Sequence, residues 1–362
     1  MRQLFDVWDG AKLWYDFDNP LDTLLFENID YRTIYEDLRR SSGAAENERF
    51  LVCIDEIQNY PDITRIIKFL IDHFGVKFIV TGSSNYYLRN LFPESLSGRK
   101  FLYVLPVLSY REYLYFNEQL KEDDLFPSIE EVFTPPGNKA AIYRYRELYA
   151  TYLEFGGFPE VAITNYPETK RLILKNIFAS FFEKDIKVFS ELKDVRELRD
   201  LILLLASRNG NLLDVSRLAS ELGVNRVKLY SYLEFLEGTF FLKLLPRHTK
   251  SIDRRVAGGK KVYFTDTGIL NLAGKVTEGQ LLEVAVHNQL ANHGSLSFYN
   301  KRNTAEIDFI LNEQIAIEVK QKVIPSDLVR LNKQASSLNL KRYYTISNTP
   351  VDDHAVIYAW HL

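Results

Sequence analysis

Leu51-Val52-Cys53-Ile54 are four apolar residues in a row that stop at two acids, Asp55 and Glu56. An unbroken apolar run of this length predicts a strand covered on both faces, as in a parallel sheet; a strand covered on one face would alternate. After Pro61 and Asp62, apolar residues recur at Ile63, Ile66, Ile67, Leu70, Ile71 and Phe74. That spacing predicts a helix with one apolar stripe, and Gly75 follows it as a C-terminal cap. Lys77-Phe78-Ile79-Val80-Thr81 predicts a second buried strand, ending in Gly82-Ser83-Ser84-Asn85. Strand, helix, strand in this order is a parallel βαβ unit. Acids at the carboxyl end of such a strand stand where open α/β sheets place their ligands. Taken alone, the run and its acids fit a buried strand and a solvated turn equally well.

Upstream, Leu4, Phe5 and Trp8 predict the tail of a helix, and Lys12 to Phe17 a strand broken at Asn19-Pro20. Leu24 to Arg40 is patterned as helix, and Ser41 to Glu48 as a polar loop. Downstream, Phe101 to Leu108 predicts a further strand, and Ser109 to Tyr113 the opening of a helix. Asn117 to Asn138 carries Pro127, Pro135, Pro136 and Gly137 and reads as a linker or insertion. Helical patterning resumes at Ala140. It is interrupted at Phe155-Gly156-Gly157-Phe158-Pro159-Glu160, a tight turn of the kind glycines permit, and runs again from Glu168 to about Val188.

Arg196 to Ser207 predicts a helix, and Asp214 caps another from Val215 to Leu222. Gly223-Val224-Asn225 makes a turn into a third helix, Arg226 to Glu237. Helix, glycine turn, helix is a helix-turn-helix, and the strands Thr239 to Leu245 and Lys261 to Phe264 give it a wing. The loop between those strands holds Arg247, Lys250, Arg254, Arg255, Lys260 and Lys261 against one acid, Asp253. With Arg226 and Lys228 on the third helix, Arg254 and Arg255 are candidate contacts to nucleic-acid phosphates. The same pattern fits a protein-binding winged helix with a solvated basic loop. Beyond it come a helix (Glu278 to His293), three strands (Leu296 to Asn300, Glu306 to Ile310, Ile315 to Lys320), a helix (Asp327 to Leu338) and late strands at Lys341 to Ile346 and Ala355 to Trp360. Period-two geometry puts Glu318 and Lys320 on one face of their strand, where Asp308 from the neighbouring strand can converge. An ordinary hairpin edge, with Glu and Lys pairing through water, is the alternative.

Composition changes this picture little. The 362 residues suit two or three domains, and 46% apolar content is ample for their cores. A net charge of −3 gives no global attraction to nucleic acid, so any such contact must be a local patch. The single cysteine, Cys53, excludes an internal disulfide and a cysteine-rich zinc site, and suits a reducing cytoplasm. No apolar run approaches the ~20 residues of a membrane span.

The order Ile54-Asp55-Glu56-Ile57-Gln58, then Val80-Thr81-Gly82-Ser83-Ser84, then Ser97-Gly98-Arg99 resembles AAA-type P-loop ATPases. More narrowly, with the segment Leu108 to Leu114 and the turn Gly156 to Glu160, it resembles archaeal and bacterial ATPases that carry a C-terminal domain of unknown function. The resemblance implies ATP and Mg²⁺ as cofactors, with Asp55 helping to hold Mg²⁺ and Glu56 orienting the attacking water. It implies a polar sensor at Ser83, Ser84 or Asn85, and an arginine finger or sensor at Arg99. The phosphate-cradling pattern G-x-x-x-x-G-K-[ST] does not occur: Gly259-Lys260 is followed by Lys261, and Gly274-Lys275 by Val276. Relative to the family the chain reads as truncated by its first strand and P-loop, and as nucleotide-incompetent for that reason.

Asp308 with Glu318-x-Lys320 resembles the PD-(D/E)xK restriction-endonuclease-like fold, with Ile307 standing where proline is usual. That resemblance implies Mg²⁺ at Asp308, Glu318 and the helical Glu283, with Lys320 stabilising charge. The expected α/β architecture is therefore a truncated parallel-sheet ATPase core (1–116), a linker (117–139), a helical lid (140–195), a winged helix (196–276) and an endonuclease-like domain (277–362). The function expected from it is that of an AAA-type ATPase. A Mg²⁺-dependent DNA nuclease and a non-catalytic DNA- or protein-binding adaptor are the alternatives. DNA, a protein partner or further copies of the chain are the candidate partners, without a membrane.

Overall fold

The computed structural model describes residues 1–46, 48–82, 101–134, 139–182, 192–249, 251, 258–301 and 305–362, with the side chains of 139–144, 192 and 193 left aside. The chain divides into two compact units, Met1–Val104 and Leu105–Leu362. Among the described residues no helix is long and apolar enough to cross a membrane.

The first unit is a three-stranded parallel sheet in the order β1 (Lys12–Asp16), β2 (Leu51–Asp55), β3 (Lys77–Val80). Leu51 to Ile54 are buried, as a central strand covered on both faces requires. The helix Tyr31–Ser42 starts where Asp30 accepts the Arg32 N–H at 3.0 Å, and it buries Ile34, Tyr35 and Leu38. The helix Ile63–Phe74 buries Ile63, Ile66, Ile67 and Leu70 and stops at Gly75, whose φ of 65° is the left-handed cap conformation. This is a mixed α/β unit consistent with an AAA-like core.

One expected strand is absent. Phe101 to Leu108 lies in no ladder, and Phe101, Tyr103 and Leu105 are 88%, 83% and 91% exposed. An apolar run becomes a strand only when a neighbour takes its backbone hydrogen bonds, and no described strand does so here. Similarly, the helix expected to reach Val188 is described as Pro167–Ser180, and its expected end lies outside the described residues.

The second unit begins with the helix Tyr110–Phe116, closed at its start by a Ser109–Glu112 capping box. The long helix Lys139–Phe155 follows and ends at Gly156, φ 77°. Here the chain runs against itself: the Leu108 N–H donates to the Gly157 carbonyl at 2.8 Å. After the helix Leu192–Ser207, the helices Val215–Leu222 and Arg226–Gly238 meet at Gly223, and Asn225 caps the second by accepting the Lys228 N–H at 2.8 Å. β4 (Leu242–Leu245) and β5 (Lys261–Phe264) then form an antiparallel pair. The helices Thr267–Ala273 and Glu278–Leu290 lead into a five-stranded sheet in the order β10-β9-β8-β7-β6. Its strands are β6 (Leu296–Asn300), β7 (Glu306–Leu311), β8 (Ile315–Lys320), β9 (Arg342–Ser347) and β10 (Val356–Tyr358). β6, β7 and β8 are antiparallel neighbours, while β8, β9 and β10 run parallel. The crossover helix Pro325–Ser337 seals one face, where Leu331 and Ala335 pack on Ile307, Ile310 and Ala316.

A Cβ on Gly157 would stand 2.2 Å from the Leu108 carbonyl oxygen, which is backbone and has no rotamer to escape by. Gly157→Ala should therefore destabilise the second unit by roughly 1–3 kcal/mol, the usual cost of forcing atoms into a packed interior. Thermal unfolding of the full chain reads this as a lowered Tm.

Candidate functional site

Two strand ends carry acids. In the first unit Asp55 closes β2 in register with Asp16 of β1. Its Oδ1 accepts the Thr81 hydroxyl from the end of β3 and the Glu56 N–H at 3.2 Å. Glu56 sits at φ 52°, a left-handed conformation that a non-glycine residue adopts at a cost of about 1–3 kcal/mol. Its carboxylate accepts a hydrogen bond from the Gln58 amide. Ser83, Ser84, Asn85 and Arg99 lie outside the described residues.

In the second unit, Phe309 of β7 pairs with Ile317 of β8. One step further along the antiparallel ladder Asp308 stands opposite Glu318, and opposite residues share a face. Asp308 Oδ2 accepts the Val319 N–H at 2.9 Å. Glu318, 5% exposed, receives Lys320 Nζ at 2.9 Å and Arg330 Nη2 at 2.5 Å, both on Oε1. Its Oε2 is buried and has no hydrogen-bond partner among the described residues. Glu283, from the helix Glu278–Leu290, accepts the Tyr263 hydroxyl at 2.6 Å. Lys261, the first residue of β5, reaches Glu306 at 2.7 Å and feels the charges of Asp308 and Glu283.

The electrostatics follow from burial. Desolvation, then the charge of Asp308, pushes the Glu283 carboxyl up to about 7, with Lys261 opposing. Desolvation also raises Asp308, and Lys261, the Val319 amide and Lys320 hold the rise back. Burial alone would lower Lys261, but Asp308, Glu283 and Glu306 outweigh it and raise it. Lys320 is raised in the same way, with Glu318 the main attraction against burial. His287 stacks on Tyr263 with ring centroids 4.5 Å apart, and burial drops it to about 4, so it is neutral at pH 7. Among the described residues, no three acid, histidine or cysteine side chains form a group that could hold a metal ion.

Thr81, Tyr263 and Arg330 escaped the sequence reading, and Lys261, expected in a basic loop, is instead buried and paired with Glu306. A lysine opening the buried run Lys261–Phe264 was the available signal, because a buried ammonium needs a carboxylate partner. Nothing comparable marked Arg330 or Thr81.

Of the candidate phosphate contacts, Arg226 is exposed. Lys228 instead lies between Asp194 at 2.6 Å and Glu197 at 2.7 Å, and its pKa is raised by them. Arg247 donates inward to the Asn300 carbonyl. Arg254 and Arg255 lie outside the described residues.

Residues 2–114 match a family model described as an AAA domain. Residues 146–280 match one described as "Domain of unknown function (DUF8612)". Glu283, Asp308, Glu318 and Lys320 fall outside both. An uncharacterized protein of Haemophilus influenzae is 27% identical over 92% of this chain and 84% of its own length. An uncharacterized protein of Methanocaldococcus jannaschii is 27% identical over 71% of this chain, which spans 57% of that relative. The crystal structure of protein VC1899 from Vibrio cholerae aligns over 96% of this chain and 94% of its own, at 12% identity and a TM-score of 0.19, too low to carry an argument.

Glu283 gives a pH test. A carboxyl raised from 4.5 to about 7 favours the folded state when protonated. Its contribution is fully present below 4.5 and is lost as pH rises through about 7. Glu283→Gln should remove that part of the fall in Tm across the window, as read by thermal unfolding in a pH series.

Proposed function

We propose that residues 2–114 work as an AAA-type nucleotide-dependent domain, with ATP as the nucleotide. Asp55 helps to hold Mg²⁺, Glu56 orients the attacking water, and Ser83, Ser84 and Arg99 supply the sensor and finger. The observation that supports this reading is the place of the acid pair. It lies at the carboxyl end of the middle strand of a parallel sheet, in a segment similar to AAA domains. The donor set suits a hard cation: Asp55 and Asp16 end adjacent strands in register, with the Thr81 hydroxyl beside Asp55. When bound, Mg²⁺ would offset phosphate charge. Thr81 fixes the Asp55 carboxylate in place, and the left-handed turn at Glu56 redirects the chain immediately after it.

No lysine loop for the phosphates occurs in these 362 residues. Titration calorimetry of this polypeptide with Mg²⁺ and ATP should accordingly give no micromolar binding. Placing a strand and a G-x-x-x-x-G-K-[ST] loop ahead of Met1 should produce binding and hydrolysis. Glu56→Gln should then abolish hydrolysis while sparing binding. Hydrolysis indifferent to Glu56→Gln would overturn the role of the acid pair.

A second reading is favoured by Glu318, whose buried Oε2 has no partner among the described residues while Lys320 stands beside it. In this reading residues 277–362 are an endonuclease-like domain, and 196–276 a winged helix that meets DNA through Arg226, Arg254 and Arg255. Asp308 and Glu318 would hold Mg²⁺, which supplies Lewis-acid polarisation of a phosphate when bound. Lys320 fixes Glu318 and offers positive charge to a phosphate oxygen. Glu283 approaches from the helix but is engaged by Tyr263. Supercoiled plasmid should be nicked in Mg²⁺, and nicking should disappear in Asp308→Asn and Lys320→Ala. Intact plasmid under all conditions would remove the nuclease reading and leave a DNA- or protein-binding role.

A further inference from the structure

A cavity of about 450 Å³ opens in the second unit, among the helix Pro167–Ser180, the residues entering β4 and those leaving β5. That volume lies within the ~300–1,000 Å³ of small-molecule pockets. Its described walls run from Phe158 to Ile269, inside the segment 146–280 that matches a domain of unknown function. Phe158, Phe178, Phe181, Phe240 and Phe241 line it, all half-buried. The Phe241 ring centroid is 4.7 Å from that of Phe181 and 6.1 Å from that of Phe178, so these rings form one contiguous aromatic wall. The backbone is strained at this wall. Phe240 sits at φ 59°, and Thr265, which also lines the cavity, holds the turn by donating to the Phe240 and Phe241 carbonyls.

The charges on the walls have one sign. Glu160 and Asp266 line the cavity, and among the described residues no lysine, arginine or histidine does. Asp266 is 4% exposed, and backbone N–H groups alone meet its oxygens among the described residues. Burial therefore pushes its carboxyl up to about 6. Glu160 is exposed. The chain itself shows the contact that such a ring makes: Lys243, which is not on the walls, sets its ammonium 5.3 Å from the centroid of Phe240.

We propose that this cavity binds an organic cation, an alkylated ammonium whose charge is met by the phenylalanine faces and balanced by Glu160 and Asp266. Ring faces attract a cation that has few hydrogen bonds to offer, which is how aromatic cages hold quaternary ammonium groups. A neutral apolar molecule gains from the rings but leaves the buried carboxylate without a counter-charge, and an anion meets two carboxylates. The same head group occurs free in solution or on an alkylated lysine side chain, and the test separates the two.

The full chain is titrated by calorimetry, and its Tm followed, with three small molecules of one shape. Choline is the cation, 3,3-dimethylbutan-1-ol its neutral isostere and 3,3-dimethylbutanoate the anion. Choline should bind roughly threefold or more tightly than the alcohol, the lower end of a cation–π contact, and the anion more weakly than either. Glu160→Gln and Phe178→Leu should each weaken choline by about the same factor and leave the alcohol unchanged. Should Phe178→Leu fail to fold, Phe158→Leu removes another ring of the same cavity. A short peptide carrying trimethyllysine that binds more tightly than choline identifies a modified side chain as the ligand, and the reverse order a free one; both orders support a cation site. Equal affinity for the three small molecules overturns the proposal. So does choline binding that neither substitution moves, or no binding of choline and the peptide at millimolar concentration.

Discussion

The second unit depends on one buried carboxylate. Asp266 Oδ2 accepts the Gly157 N–H and Oδ1 the Ile269 N–H, each at 2.8 Å, and the Gly268 amide also favours the charged form. Its pKa still rises to about 6, because burial outweighs the three backbone donors. The groups it joins are far apart in sequence: the end of the helix Lys139–Phe155 and the start of the helix Thr267–Ala273. Glycine lets them touch, since a Cβ on Gly268 would stand 2.1 Å from the Phe155 carbonyl oxygen. Thr267 and Asn271 extend the seam by donating to the Tyr152 and Glu154 carbonyls at 2.9 and 3.1 Å. The glycine pair at 156 and 157 is therefore less a hinge than a flat surface against which a second backbone lies.

That seam fixes the carboxyl end of β5, and the Lys261–Glu306 ion pair fixes its other end. Asp266 follows Phe264 by two residues, and Lys261 begins the strand. A four-residue strand anchored at both ends by buried charge has little freedom to slide. The antiparallel pair β4–β5 is tied to the five-stranded sheet by the Lys261–Glu306 ion pair and by a backbone bridge just after β4, where the Phe298 N–H donates to the Pro246 carbonyl and the His248 N–H to the Phe298 carbonyl. Tyr263, between the two anchors, stacks on His287 and donates to Glu283, so the strand's interior is held as well.

How much of this could be read from the sequence follows from what each signal encodes. The buried strand β2, its helix and β3 were legible because an apolar run and a 3.6-residue stripe report burial directly. Asp308, Glu318 and Lys320 were legible because period two and an antiparallel neighbour decide which side chains share a face. Phe101 to Leu108 has the same apolar signature as β2 and makes no strand, because composition says nothing about whether a partner edge is available. Lys228 looked like a free cation because Asp194 and Glu197, which hold it, lie on an earlier helix. Lys261 was read as part of a basic loop and Arg330 was missed, because their carboxylates come from elements that only the fold brings close.

The two acid-bearing strand ends answer the same electrostatic problem differently. Asp55 is held by a hydroxyl and a backbone amide, neutral groups that orient a carboxylate without cancelling its charge. Glu318 and Glu306 are held by ammonium and guanidinium groups that orient and neutralise together. Thr81, at the end of β3, aims the Asp55 carboxylate without supplying a counter-charge of its own. The second arrangement makes the pairing of Glu306 depend on where β5 lies, and therefore on the contacts that position β5, the seam at Asp266 included.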